Sequence, residues 1–262
     1  MNRFLSNIKK YQKYAVRSAK AELKSEVADS YLNWLWWIIE PLCFMLIYTF
    51  IFGYVFHNKT PHFASFVFVG LTAWNFFNRM INGSVRLISN NRDLVKKVYI
   101  PKYILLLAKS YTYLFKTGIS IIITFFLMFF QGVRFSWHII FFIPIYMVFY
   151  MLTFGIGLIL MHYGVTINDL GNLTTIALRM VFYLSGVFYN ITERLGDQPK
   201  LCFLLLRVNP TAFIMNELRK TMLYNTLPSF QGLAFWLCVA LALIAIGVRL
   251  IHKYENSYAK VI

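Results

Sequence analysis

Residues 139–161 read IIFFIPIYMVFYMLTFGIGLILM, 23 positions without one charged side chain. The hydrocarbon core of a bilayer is about 30 Å thick, and a helix needs about 20 mostly apolar residues to cross it. This stretch is long enough to span. Working outward, five more qualify on the same ground, at about 33–56, 64–85, 103–130, 170–189 and 230–251. The rest of the 262-residue chain agrees, being 59% hydrophobic and only 14% charged, where a soluble domain carries about 25% charged residues. The expected fold is therefore an all-α integral membrane protein with six transmembrane helices across residues 31–262. A soluble enzyme and a disordered chain are both excluded.

Charge sets the orientation. Lys and Arg number 26 against 10 acids, a net +16. In a soluble protein that excess points to nucleic acid; in a membrane protein it collects in cytoplasmic loops, so no nucleic-acid partner is expected. With the N-terminus inside, 15 basic residues fall in inner segments and 7 in outer ones, Lys59 and Arg134 among the latter. Both termini are thus expected to be cytoplasmic. Residues 1–30 lack the apolar region of a signal peptide. They repeat Phe4, Ile8, Tyr11, Ala15, Ala19, Leu23 and Val27 at steps of three and four, with Lys and Arg between. That pattern reads as an amphipathic cytoplasmic helix on an anionic membrane surface, or as a solvated basic lead-in.

The longest outer loop, 190–229, holds apolar pieces interrupted by Arg207, Asn209 and Pro210. Each is too short to cross, and Pro210 forbids one smooth helix. Short re-entrant helices over about 198–224 are expected instead, packed on protein or lining a cavity. Cys43, Cys202 and Cys238 are far apart, and no metal site is expected. The histidines are scattered, and the nearest acid–base pair, His162 with Asp169, does not resemble a catalytic arrangement.

Four basic residues fall inside spans: Arg79, Lys109, Lys116 and Arg179. A charge at mid-helix costs about 2.5–3.5 kcal/mol on insertion scales, so each needs a cavity, a partner helix or a counter-charge. Arg179, Glu40 and Lys109 lie at similar depths, roughly 14, 10 and 9 Å from the cytoplasmic end. They serve either as an anion-facing charge for the pyrophosphate of a substrate, or as a structural pair of Glu40 with Lys109 or Arg179. Between the spans, residues 86–102 suggest a short helix capped by Asn90 or Asn91, with Asp93 in its first turn and Pro101 at its far end. Leu94, Val95 and Val98 would form an apolar patch flanked by Lys96 and Lys97. That patch suits docking into a groove, although the lysines alone would fit an ordinary inner loop.

Several stretches in order resemble one family, the permease subunits of polysaccharide ABC exporters. They are Ser30, Leu32, Trp36 and Pro41 at the first span; Gly70-Leu71, Trp74 and Phe76-Phe77 in the second; NNRDLVKKVYIPKYILLL at 90–107; Asn168-Asp169-Leu170; Ser185-Gly186-Val187-Phe188-Tyr189; Asn209-Pro210 with Arg219; and Tyr254-Glu255 with Tyr258-Ala259. The chain departs from the family pattern at Asn33, Ile100, Asn168, Gly186 and Lys260.

The resemblance implies a homodimer that pairs with two copies of a separate ATP-binding subunit in the cytoplasmic (inner) membrane of a bacterium. It implies export of a lipid-linked polysaccharide of the O-antigen, capsule or teichoic acid class. By the same resemblance, residues 90–101, with Asn91, Arg92, Asp93, Leu94, Lys96, Lys97 and Val98, form the helix that couples to the ATPase. The first and fifth spans then flank the channel. This raises Trp37, Phe44, Tyr48, Phe52, Phe182, Tyr183, Phe188 and Tyr189, with Arg179, as candidates for contact with substrate, against the alternative of lipid-facing or interfacial aromatics. No G-x-x-x-x-G-K-[ST] occurs, so ATP and magnesium are expected on the partner and no cofactor on this chain. The competing expectations are a permease for a smaller lipid or drug, and a membrane-embedded transferase acting on lipid-linked sugars. The transferase would need a carboxylate cluster, whereas only Glu40, Asp93 and Asp169 lie within or just inside the membrane.

Overall fold

The computed structural model of the chain describes residues 2–28, 31–55, 57, 60–195, 197–255 and 257–258. Ser30, Lys59, Ala259 and Lys260 lie outside them. Among the described residues all regular structure is helical.

Helix α1 (Asn2–Ala28) buries Phe4, Ala15 and Ala19, while Lys9, Lys10, Lys13, Arg17, Lys20 and Lys24 stay exposed. Helix α2 (Trp36–Tyr48) continues as a π-helical stretch, Thr49–Val55. Only Pro41 and Met45 of α2 are buried, so it stands at the edge of the bundle. At the centre is α3 (Phe63–Val85), with 17 of its 23 residues buried. Two short helices, α4 (Leu87–Asn90) and α5 (Arg92–Lys97), form the link to α6 (Lys102–Phe130). A 3-10 turn, Trp137–Phe141, leads into α7 (Phe142–Thr166).

Next come α8 (Leu170–Leu184), the single turn α9 (Ile191–Arg194), α10 (Pro199–Val208), α11 (Pro210–Met222) and α12 (Phe230–Tyr254). Helices α7 and α12 approach closely because small residues face bulky ones. A Cβ on Gly155 would lie 2.8 Å from Leu243 Cβ, and one on Gly247 would lie 2.6 Å from Leu158 Cβ. Without a hydrophobic drive between helices in lipid, such van der Waals fit is what holds them.

Four helical segments are long and apolar enough to cross a membrane: Trp36–Val55, Lys102–Phe130, Trp137–Thr166 and Phe230–Tyr254. The other two expected spans differ in kind. Helix α3 has span length but carries Asn75, Asn78, Arg79 and Asn82. Helix α8 has 15 residues, about 22 Å at 1.5 Å per residue, so the expected end at 189 moves back to Leu184. The cause is Gly186 at φ +66, a left-handed turn that only a residue without a Cβ takes freely. Between α9 and α12, helices α10 and α11 meet at 101°, the geometry of a broken span or a re-entrant loop. Pro210 sits at the break. Helix α11 is largely buried, whereas α10 has no buried residue.

The direction of α1 follows from charge. Asn7 donates to the Tyr103 hydroxyl at 2.8 Å, while Glu22 pairs with Lys109 and Glu26 with Lys116. Lys116 is fourteen residues beyond Lys102, the start of α6, about 21 Å along the axis. Helix α1 therefore climbs beside α6 instead of lying across its foot, and its acids neutralise two lysines that would otherwise be stranded in the bundle.

Candidate functional site

Two helical stripes face each other between α3 and α8. On α3, Trp74, Asn78 and Asn82 recur at steps of four, which places them on one face. On α8, Thr175 and Arg179, then Phe182 and Tyr183, follow at steps of three and four and share a face too. Together with Leu178 they line an open cleft of about 490 Å³. Its floor is polar, with Asn82 Nδ2 donating to Asn78 Oδ1 at 2.8 Å. Its other end is aromatic, with the Trp74 and Phe182 rings 5.1 Å apart.

Arg179 is exposed into this cleft. Of the four cations within predicted spans, Arg79 pairs with Glu40 at 3.4 Å, Lys109 with Glu22 and Lys116 with Glu26. Arg179 has no acid within ion-pair distance among the described residues. The expected pairing of Glu40 with Lys109 or Arg179 is thus corrected. Equal depth is not proximity, and the face of α2 that carries Glu40 meets Arg79 of α3. The true partners of Lys109 and Lys116 come from the N-terminal helix.

The aromatic candidates gather at the Trp74 end of the cleft. Phe188, buried in the turn after α8, has its ring 4.2 Å from Tyr48, 4.8 Å from Phe52 and 5.2 Å from Phe182. Phe44 extends the row through Tyr48, and Phe182 lies 5.3 Å from Tyr183. Tyr189 donates to the Tyr183 carbonyl at 2.8 Å. Trp37 stands apart, edge-on to Phe115 and under the Lys116 ammonium. The sequence reading named Trp74 only within the family resemblance, and left out Asn78, Asn82 and Thr175. Their four-residue spacing of polar groups within an apolar span was the signal that could have found them.

Arg219 holds this arrangement in register. It is 5% exposed, and donates to the carbonyls of Phe66 on α3 at 3.3 Å, Gly186 at 2.8 Å and Val187 at 2.7 Å. Asn209 caps α11, its Oδ1 accepting from the amides of Thr211 and Ala212, and it also donates to Ser185 Oγ at 3.0 Å. The bent pair α10–α11 is therefore tied to the turn that carries Phe188.

At the opposite end, the expected coupling helix spans only Arg92–Lys97. The capping expected of Asn90 or Asn91 is not made. Asn91 Nδ2 turns back to the Leu87 carbonyl at 2.8 Å, closing the kink between α4 and α5. The expected apolar patch is also divided. Val95 is buried, Leu94 is half-buried, and Val98 in the following extended segment is exposed beside Tyr99. Asp93, Arg92, Lys96 and Lys97 are exposed.

The sequence matches the family described as ABC-2 type transporter over residues 17–223. It is 25% identical over 260 residues to the O-antigen export system permease protein RfbA of Myxococcus xanthus, covering 99% of each chain. It is 23% identical over 245 residues to an O-antigen export system permease protein RfbA of Klebsiella pneumoniae, covering 92% of each. To the polysialic acid transport protein KpsM of Escherichia coli it is 24% identical over 251 residues, covering 90% of this chain and 91% of that one.

Proposed function

The chain belongs to the ABC-2 type transporter family, and we propose that it is the membrane-spanning subunit of an ATP-driven exporter for a lipid-linked polysaccharide. The similar proteins are named for O-antigen export and polysialic acid transport, and similarity runs over nearly the whole chain. The protein works as a homodimer in a bacterial cytoplasmic membrane with both termini inside. Two copies of a separate subunit bind ATP with magnesium and act on the loop around Arg92–Val98, whose exposed Val98 and Tyr99 present an apolar contact among basic side chains.

The observation that carries the reading is Arg179, the unpaired cation of the α3–α8 cleft. A guanidinium spends its five donors well on phosphate oxygens, and Asn78, Asn82 and Thr175 supply further donors and acceptors beside it. The cleft receives the phosphate that joins lipid to polymer. The aromatic row from Trp74 through Phe182 and Phe188 to Tyr48 and Phe52 then offers ring faces along which sugars slide. A polymer longer than the roughly 30 Å core needs such a continuous track, and a two-fold dimer closes the open side of the cleft.

Quantifying surface polymer in cells carrying the full transporter tests this. Arg179→Gln should lower export about tenfold or more, one charge-assisted contact being worth about 1.5–3 kcal/mol, and Tyr183→Ala should lower it less. Phe126→Ala, on the exposed face of α6, should leave it unchanged. Parental export by Arg179→Gln at equal membrane abundance would sink the assignment.

A further inference from the structure

A second cleft, of about 370 Å³, lies between the bent pair α10–α11 and the start of α12. Nothing in the translocation reading uses it. The Arg207 guanidinium sits 5.1 Å from the centre of the Phe203 ring and 5.9 Å from that of Phe235. Two aromatic faces fix its plane. Among the described residues it has no acid within 4.0 Å and donates no hydrogen bond, so its five N–H groups are held in place and unspent.

The other charges of this cleft are already matched. Glu217 is 1% exposed; its Oε1 accepts from Lys220 Nζ at 2.8 Å and its Oε2 from the Ser229 amide at 2.6 Å. With Lys220 committed to Glu217, one net positive charge remains, at Arg207. The walls beside it are apolar, formed by Phe203, Leu206, Phe235 and Trp236. The volume equals about a dozen waters at about 30 Å³ each. That suits a phosphate head and the first part of one hydrocarbon chain, and is too small for a run of sugars.

We propose that this cleft is a lipid-phosphate site, with Arg207 on the phosphate oxygens and the aromatic walls on the chain. Of the five basic residues in the loop 190–229, Arg219 and Lys220 are spent within the fold, and the site gives Arg207 a use that orientation alone does not. A cation between aromatic rings at the mouth of a membrane helix pair faces the headgroup layer, where phosphate is the abundant anion. Only the choice of leaflet, the outer one, rests on the orientation given under Proposed function. The phosphate can belong to a bilayer glycerophospholipid or to a polyprenyl carrier, and both offer the same recognition chemistry.

The test uses the full chain carrying Arg179→Gln, so that the α3–α8 cleft offers no second phosphate contact, purified in detergent and stripped of lipid; this is the parent of the comparison. It is mixed separately with phosphatidylglycerol, a polyprenyl phosphate and diacylglycerol, and adducts are counted by native mass spectrometry. The parent should retain one phosphate-bearing lipid per chain and no diacylglycerol. Arg207→Gln should weaken that adduct by about tenfold, and Arg207→Lys should recover most of it. Arg207 is exposed, so both variants should keep the parental elution and helical signal. Retention of phosphatidylglycerol alone identifies a resident bilayer lipid; retention of the polyprenyl phosphate, with or without it, identifies a carrier site, and either supports the proposal. Diacylglycerol held as tightly as the phospholipid, no adduct with either phosphate lipid, or undiminished binding by Arg207→Gln overturns it. The assay needs neither ATP nor polymer, so its failure is separate from any failure of the export assay.

Discussion

The Arg219 guanidinium lies 3.5 Å from the centre of the Phe66 ring and donates to the Phe66 backbone carbonyl at 3.3 Å. The two residues are 153 positions apart. Through this contact and those to Gly186 and Val187, one buried cation fastens the bent pair α10–α11, the central helix and the turn bearing Phe188. Gly70 makes room for it, since a Cβ there would stand 2.5 Å from Arg219 Nη2.

Stability should therefore depend on Gly70 and Arg219 as a unit. Arg219→Met leaves the Gly186 and Val187 carbonyls short of a donor, the Phe66 carbonyl keeping its place in the α3 ladder, and should cost about 2–4 kcal/mol, at about 1–3 kcal/mol per orphaned group with partial relaxation. Gly70→Ala should also destabilise, by displacing the guanidinium. The double variant should cost clearly less than the two losses added together, because the clash disappears with the arginine. Thermal unfolding of the purified protein checks this, and strict additivity would show that Gly70 serves something else.

The N-terminal helix should be anchored by charge. Glu22 accepts from Lys109 and, at 3.1 Å, from Thr112 Oγ1. Lys109→Glu places two acids together within the bundle and should lower membrane yield severely, whereas Glu22→Lys combined with Lys109→Glu should regain most of it. A full membrane burial penalty is about 2.5–3.5 kcal/mol; this pair is partly exposed, so about 1–2 kcal/mol is expected from breaking it. If the swapped pair is no better than Lys109→Glu alone, the contact contributes little.

The loop after α4 should separate folding from coupling. Val98→Asp, at an exposed position, should leave membrane insertion intact and reduce stimulation of the partner ATPase about tenfold or more. Val95→Asp buries an unpaired charge and should lower the amount of folded protein instead. On a background free of Cys43, Cys202 and Cys238, a cysteine at Val98 should escape an impermeant thiol reagent added outside, while one at Asn190 should react. The reverse labelling would invert the orientation and remove the docking role from this loop.

Much of the architecture was legible because hydropathy and helix period are local. The run 139–161 has no conformation but a membrane helix that satisfies its backbone among lipid, and the stripe Phe4, Ile8, Tyr11, Ala15, Ala19 needs only its own spacing to declare a buried face. The break at Pro210 was equally readable, since a ring without an N–H cannot continue a helix. Gly186 shortened α8 below the expected 189 for a reason the sequence contains only weakly, because glycine permits the left-handed turn without requiring it.

Partners were decided by the tertiary structure alone. Glu40, Lys109 and Arg179 share a depth, yet depth is one coordinate of three; the azimuth of each helix and its neighbours assigns Glu40 to Arg79, Lys109 to Glu22, and leaves Arg179 facing the cleft. The sequence by itself determined an all-helical membrane chain and the candidate cations and aromatics it carries, because insertion energy depends on composition along one segment. Which of those cations is spent within the fold and which remains for a ligand was settled only by packing, because a charge is neutralised by what lies within about 4 Å in space, however far away it is in the chain.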